Sequence, residues 1–234
     1  ISKKTFDLLE NCVGKDSKSM KIKPTRLYPL KRMVDTINEN ELKNINEESN
    51  IYKLQLINEK NNASEKEVES FVNQVPCNTN LVLKIGAQVM SIINMNLQED
   101  LPICNGSCGI VIDFNKSKNP IVRFSNNRIM TINPHTWTSY DNKIRIIQIP
   151  LILSWALTIH KCQGATLDMA EINIGSSIFE DGQSYVALSR LKSFDGLYLT
   201  DLDPWKIKAN KKAIKYYEFL KEKELKEKEL EKLY

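Results

Sequence analysis

The chain has 234 residues, of which 41% are apolar and 26% are charged, and its formal net charge is +4. This balance is typical of a globular protein of one or two domains. The charge is too mild for a strongly basic nucleic-acid-binding domain, so any DNA binding must depend on a local stripe of basic residues. No run approaches about 18 apolar residues and no signal peptide opens the chain, so we expect neither a membrane nor a secretory protein. Five cysteines at irregular spacing argue against a disulfide framework and predict an intracellular, reducing compartment.

The first 80 residues predict part of an α/β domain followed by a polar connection. Residues 26–30 predict a short strand. Apolar residues then recur at the spacing of a helix, at Val34, Ile37, Leu42 and Ile45. Residues 58–80 are rich in Asn, Glu and Ser, and they predict a surface loop with one short helix around residues 65–72.

From residue 81 to residue 147 the pattern changes to short segments broken by Gly, Asn and Pro. Five strands are predicted, at residues 88–92, 109–114, 121–124, 128–132 and 144–149. Strands at this spacing favour a small barrel. Cys104 and Cys108 have the spacing of a metal-binding pair, but the chain has only two histidines and no second such pair, so a structural role is favoured for both.

The next segment combines a buried strand with a polar corner. Residues 151–157 are apolar apart from Ser154 and predict a strand that delivers polar side chains to the end of a sheet, where α/β proteins bind ligands. Gly164 can end the following turn in a left-handed conformation, and Thr166 offers a hydroxyl at the start of a further strand, residues 167–174. Such a corner can hold phosphates. For the isolated residues, a structural histidine at His160 and a solvated charge at Lys161 remain open.

Residues 182–190 predict a helix whose apolar side packs on the sheet and whose end presents Arg190. A guanidinium in such a position can stabilise the charge that develops on a phosphoryl group during transfer, and it can also simply complement the negative end of the helix dipole. Residues 196–202 predict a last strand. A long helix follows from about residue 209, and its alternating Lys and Glu residues predict a solvated tail or, as the alternative, a partner-binding helix.

The ordered series of motifs resembles the C-terminal half of a PIF-type (petite integration frequency) DNA helicase, from the RecD-like branch of superfamily one. The resembling segments are residues 25–29, 34–38, 83–90, 104–109, 122–124, 148–151, 155–168 and 182–190, with Asn94 and the Trp137 region. The resemblance implies an α/β fold: a second RecA-like helicase domain, with a mostly parallel sheet and flanking helices, into which a small Src-homology-type β-barrel is inserted. The implied boundaries are 1–80 and 148–208 for the RecA-like domain, 81–147 for the barrel and 209–234 for a charged C-terminal helix.

The resemblance also implies roles for individual residues. Arg190 would be an arginine finger. Three residues would face the nucleotide: Gln163, Gly164 and Thr166. Five would contact DNA: Thr158, His160 and Lys161 in the corner, and Lys116 and Arg123 in the barrel. Other basic and aromatic barrel residues could bind single-stranded DNA by phosphate contact and stacking, namely Lys118, Arg128, His135 and Trp137. A core position is favoured for Trp137, and solvated lysines remain an alternative. Cys162 stands where the family usually has serine.

The family's activity would require groups that this sequence lacks. PIF-type helicases use ATP and Mg²⁺ to move 5′ to 3′ on single-stranded DNA and to unwind duplexes, junctions or quadruplexes. No Gly-x-x-x-x-Gly-Lys-Ser/Thr phosphate loop occurs, and no strand ends in the paired acids that hold Mg²⁺. We therefore expect a fragment that does not hydrolyse ATP alone and whose partner is its own N-terminal RecA-like domain. A monomer in the nucleus, the mitochondrion or a viral replication site is expected. The alternative is a non-enzymatic adaptor that binds single-stranded DNA or protein.

Overall fold

The structure is a computed structural model that describes residues 2–17, 19–59, 62–175, 178 and 180–231. The helices described are α1 Lys3–Glu10, α2 Lys31–Lys43, α3 Glu65–Gln74, α4 Gln183–Leu188 and α5 Lys211–Glu231. The first strands are β1 Thr25–Tyr28, β2 Asn50–Lys53, β3 Gln55–Asn58, β4 Asn80–Leu83, β5 Gln88–Ser91, β6 Cys108–Phe114 and β7 Pro120–Phe124. The remaining strands are β8 Ile129–Thr131, β9 His135–Thr138, β10 Ile144–Gln148, β11 Leu151–Leu153, β12 Ala156–Thr158, β13 Ala170–Ile174 and β14 Leu197–Leu202.

A parallel sheet of four strands, in the order β12-β1-β13-β14, forms one half of the molecule. Its strands are rich in buried apolar residues, as parallel strands covered on both faces require. Helix α2 packs on β12 and β1, and α1 contacts β14. The predicted α/β architecture, with a parallel sheet and flanking helices, is confirmed.

Both outer strands of this sheet are joined to other segments through their backbone groups. Asn38 of α2 donates from Nδ2 to the Ala156 carbonyl and accepts from the Ala156 N–H, both at 2.9 Å. On the opposite side, Leu199 of β14 donates to the Cys12 carbonyl at 2.8 Å and accepts from the Gly14 N–H at 3.0 Å. Asn38 is buried, and both the nitrogen and the oxygen of its side-chain amide are used in this contact.

Antiparallel strands form the other half. They pair in a five-stranded sheet, β11-β5-β6-β7-β8, a three-stranded sheet, β3-β10-β9, and a two-stranded sheet, β2-β4. All five strands predicted between residues 88 and 149 are present, with ends shifted by at most one residue. Strands β2 and β3 were missed because their sequences are polar and half exposed, without a clear apolar alternation.

The predicted strand over residues 151–157 is wrong in one respect, because two strands occupy it. Leu151–Leu153 pairs antiparallel with β5, whereas Ala156–Thr158 pairs parallel with β1. The chain crosses between the sheets at Ser154, whose N–H donates to the Gln88 carbonyl at 3.0 Å, and at Trp155, whose carbonyl accepts from Arg26. Both pieces are buried, so their apolar run shows no break in sequence. The strand predicted over 167–174 likewise begins only at Ala170.

Two apolar clusters correspond to the two halves. One surrounds the parallel sheet and includes Leu27, Leu157 and Ile172, and Trp137 packs against it half-buried, as its favoured core role predicts. The other lies under the antiparallel strands and includes Val111 and Phe124. The helix predicted around residues 65–72 is α3, which begins at a capping box between Ser64 and Glu67. None of the helices described is both long enough and apolar enough to cross a membrane.

Candidate functional site

The polar corner after β12 is a tight turn built around Thr158. The buried Thr158 hydroxyl accepts a hydrogen bond from the Lys161 N–H at 3.1 Å, and the Thr158 carbonyl accepts from the Cys162 N–H at 3.2 Å. The turn ends at Gly164, which has a φ of +80°, the left-handed conformation predicted from the sequence. Thr158 thus shapes the turn, while His160, Lys161, Gln163, Gly164 and Thr166 are exposed on it.

Cys162 is the buried member of this turn. Its thiol donates to the Ile159 carbonyl at 3.1 Å, and burial raises its pKa to about 11, against a smaller lowering effect of the Arg190 charge. The thiol therefore stays protonated and points inward at neutral pH. A serine here could make the same inward hydrogen bond, so the departure from the family pattern preserves the corner.

Lys161 borders a polar groove beside the carboxyl ends of β12 and β1. Two adjoining cavities, of about 380 and 590 Å³, are both lined by Lys31, Lys161, Asn78 and Thr79. Desolvation where the amine enters the groove, and then the like charge of Lys31, lower the pKa of Lys161, although much of the side chain remains accessible. Both lysines therefore face a common space.

Helix α2 brings both signs of charge to this groove: its N-terminus and Lys31 are positive, whereas Asp35 and Glu39 also line the first cavity. It starts at Lys31, its N-cap residue Leu30 makes no side-chain hydrogen bond, and its first turn holds no acidic residue. The first N–H groups of a helix carry partial positive charge and attract anions. Lys31 was missed by the sequence reasoning, because only the pairing of β1 with β12 brings it beside Lys161.

Arg190 lies just after α4, and a backbone ladder joins its segment to the polar corner. The Leu167 N–H donates to the Arg190 carbonyl at 2.8 Å, and the Lys192 N–H donates to the Leu167 carbonyl at 3.3 Å. The guanidinium donates from Nε to the Val186 carbonyl of α4 at 3.2 Å and from Nη2 to the Ser189 hydroxyl at 3.0 Å. No acidic side chain pairs with it among the residues described. The two motifs predicted separately from the sequence are therefore neighbours.

A second loop packs directly against the corner, at Gly106. Its φ is +101°, and a Cβ added there would lie 2.4 Å from the Thr166 carbonyl oxygen and 2.8 Å from the Thr166 nitrogen. The Thr166 N–H faces the Asn105 carbonyl at 3.4 Å. Only glycine allows this approach. The Asn105-Gly106 dipeptide is a sequence signal for a turn, but the sequence does not show that this turn packs against Thr166.

The basic residues of the antiparallel half are dispersed. Lys116 is exposed in the loop between β6 and β7, at the opposite end of β6 from Gly106, and the structure does not bring it to the corner. Arg123 is exposed on β7, opposite Ile110 of β6. Arg128 is mostly buried in an ion pair with Glu99, and it also donates to the Leu101 carbonyl. His135 is half-buried edge-on to Trp137, and burial lowers its pKa.

Comparisons with known proteins find one family repeatedly. The family model "DNA helicase Pif1, 2B domain" matches residues 68–114. The chain is 35% identical over 220 residues to the ATP-dependent DNA helicase PIF1 of Danio rerio, a match that covers 92% of this chain and 32% of the relative. It is 37% identical over 198 residues to the Xenopus laevis protein of the same name, covering 82% and 30%. The chain thus spans about a third of the length of these curated relatives.

Solved structures of Pif1 helicases are similar to this chain in fold. Unliganded Pif1 from Bacteroides sp superposes with a TM-score of 0.77 at 27% identity, covering 94% of this chain and 51% of that one. The Bacteroides sp Pif1 complex with ADP-AlF4 gives a TM-score of 0.77 at 28% identity, covering 95% and 51%. The Bacteroides Pif1 complex with ADP-AlF3 and single-stranded DNA gives 0.60 at 29% identity, covering 96% and 51%. The resemblance inferred from the motifs is confirmed, and the chain is a relative of the PIF-type DNA helicases, with a RecA-like fold.

Proposed function

We propose that this chain works as the C-terminal part of an ATP-dependent motor that moves 5′ to 3′ on single-stranded DNA and unwinds duplexes, junctions or quadruplexes. The relatives named above are ATP-dependent DNA helicases. The observation that carries the proposal is the ladder between Leu167 and Arg190, because it sets a guanidinium without an acidic partner, among the residues described, beside an exposed polar turn. That is the arrangement a phosphoryl-transfer site needs from its second domain.

On the nucleotide side, Arg190 stabilises the charge that develops on the transferred phosphoryl group, and Gln163, Gly164 and Thr166 line the approach to it. All three are exposed on the turn. The guanidinium is held by α4 through Val186, so it is directed by a helix rather than by a flexible loop. The matching phosphate loop belongs to an N-terminal RecA-like domain elsewhere in the protein, and ATP binds between the two domains of a monomer.

Among the residues described, no three His, Cys, Asp or Glu side chains lie together as ligands for a metal ion. In nucleotide sites Mg²⁺ is held by one or two carboxylates and the phosphates, and we propose that those carboxylates belong to the other domain. The residues of this chain contribute positive charge and hydrogen-bond donors.

On the DNA side, Lys161, His160 and Lys31 meet the phosphates in the groove, and Thr158 holds the turn that presents them. The groove combines two lysines and the uncapped start of α2, and Asp35 and Glu39 line the side of it next to that helix. Backbone phosphates are recognised through such sequence-independent positive charge. Arg123 and Lys116 extend the contact over the antiparallel half. There we propose the Src-homology-type barrel inserted at 81–147 between the RecA-like parts 1–80 and 148–208, with strands β2, β3 and β11 of those parts pairing with it.

The decisive experiment is ATP hydrolysis, with and without single-stranded DNA, by the natural protein that contains this chain. Arg190→Ala is expected to lower kcat by about 10³- to 10⁵-fold, the range measured for arginine fingers, while DNA affinity stays nearly constant. Arg145→Ala is the matched control, since Arg145 pairs with Glu59 on the antiparallel half.

Normal hydrolysis by Arg190→Ala would reject the finger. A folded wild-type protein without DNA-stimulated hydrolysis would instead favour a non-enzymatic adaptor.

A further inference from the structure

Asp168 joins three segments that are far apart in sequence. Its Oδ2 accepts a hydrogen bond from the Ser125 hydroxyl at 2.8 Å, and its Oδ1 pairs with the Lys192 ammonium at 2.5 Å. Ser125 directly follows β7, and its N–H donates to the Cys108 carbonyl of β6 at 2.9 Å. Lys192 lies two residues after Arg190. One carboxylate therefore bridges the antiparallel half and the arginine segment.

The backbone around Asp168 is fixed independently of its side chain. A Cβ added at Gly196 would lie 1.9 Å from the Asp168 carbonyl oxygen, so the two backbones are in close contact. The preceding residue, Leu167, is fully buried and bonded on both sides to the arginine segment. The carboxylate is thus an additional link and is not needed to hold the strand in place.

We propose that Asp168 is a positioning residue that couples DNA on the antiparallel half to the placement of Arg190. The proposal rests on the motor function proposed above. Arg123, a candidate DNA contact, lies on β7, two residues before Ser125. When bound DNA displaces β7, the Ser125 hydroxyl shifts Asp168 through their hydrogen bond. Asp168 in turn shifts Lys192 and, with it, the segment that presents Arg190. The positioned guanidinium then acts on kcat, because its contact strengthens in the transition state.

The exposure of the Asp168–Lys192 pair argues for positioning over stability. The Lys192 side chain is 61% exposed and that of Asp168 is 32% exposed. Pairs at this exposure contribute little to the free energy of folding. Removal of a pair with only a structural role should therefore change little in any assay. Removal of a coupling element should instead change the stimulation of ATP hydrolysis by DNA without changing the melting temperature.

The test uses the natural protein and measures kcat and KM for ATP with no DNA and with saturating single-stranded DNA. Ser125→Ala removes the donor on the antiparallel side, and Lys192→Met removes the partner on the arginine side. Each is expected to reduce DNA-stimulated kcat by about 2- to 30-fold, the range typical of coupled networks, with the basal kcat, KM and melting temperature unchanged. Ser125→Thr keeps the hydroxyl and should keep the stimulation. The double variant should lose no more than either single variant, because both interrupt one path.

Full stimulation in Ser125→Ala, or an equal loss in Ser125→Thr, would overturn the coupling while leaving the motor intact. Additive losses in the double variant would also overturn it. A wild-type protein without DNA-stimulated hydrolysis would remove the motor and the coupling together, and Arg190→Ala in the same series distinguishes these cases.

Discussion

The two halves of the molecule use their polar residues differently. In the parallel half, β1 and β12 end at the same edge, so Lys31 and the turn after Thr158 converge there. In the antiparallel half, polar side chains serve the fold: Gln148 donates to the carbonyls of Tyr52 and Asn78, and Arg128 is mostly buried in its ion pair with Glu99. Clustered polar groups are thus a better guide to the site than basic residues are.

The largest effect is expected where the halves touch. Gly106→Ala would place a Cβ against the Thr166 backbone in a left-handed conformation, and we expect a loss of about 3–5 kcal/mol in the free energy of unfolding. Gly164→Ala is the matched control, since its φ is also positive but no atom lies within 4 Å of the added Cβ; about 1–2 kcal/mol is expected. Chemical denaturation of both variants measures the difference. Equal losses would mean that the halves are not in close contact at this point.

A smaller effect is expected within the parallel half. Asn38→Ala removes two hydrogen bonds to Ala156 and leaves buried backbone groups unpaired, so we expect about 2–4 kcal/mol of destabilisation. Asn40→Ala, an exposed site on the same helix, should stay within about 0.5 kcal/mol. Denaturation of the two variants tests this contact, and similar midpoints would show that α2 is held by its apolar face alone.

The smallest effect is expected on DNA affinity, and it distinguishes the contributions of the two halves to DNA binding. Lys161→Ala should lower the slope of log affinity for single-stranded DNA against log salt by about 1 and weaken binding, because one phosphate contact is lost. Lys116→Ala should lower that slope by less than about half as much, since this exposed charge is well screened. Lys53→Ala, an exposed lysine on β2, is the control and should change nothing. A larger change for Lys116 than for Lys161 would mean that the main phosphate contacts lie on the antiparallel half and not in the groove.

The extent to which sequence predicts this molecule follows from the range of the interactions. The left-handed Gly164, α3 and the five strands between residues 88 and 149 depend on local residues and were predicted. The division of residues 151–157 between two sheets was not, because burial on both faces removes the periodic signal. Lys31, Gly106 and Asp168 gain their roles from partners distant in sequence. Asp168, for example, is 43 residues from Ser125 and 24 from Lys192. Spacing along the chain does not report such partners.

The contacts of Asn38 and Leu199 also determine whether the edges of the parallel sheet can pair with strands of other molecules. Asn38 occupies the N–H and carbonyl of Ala156, and the Thr158 carbonyl accepts from Cys162. On the far side, the Leu199 backbone is bonded to Cys12 and Gly14. A sheet edge with free backbone groups invites strand addition and aggregation. At these positions both edges are already paired, so the sheet is protected from growing by addition of a strand from another copy.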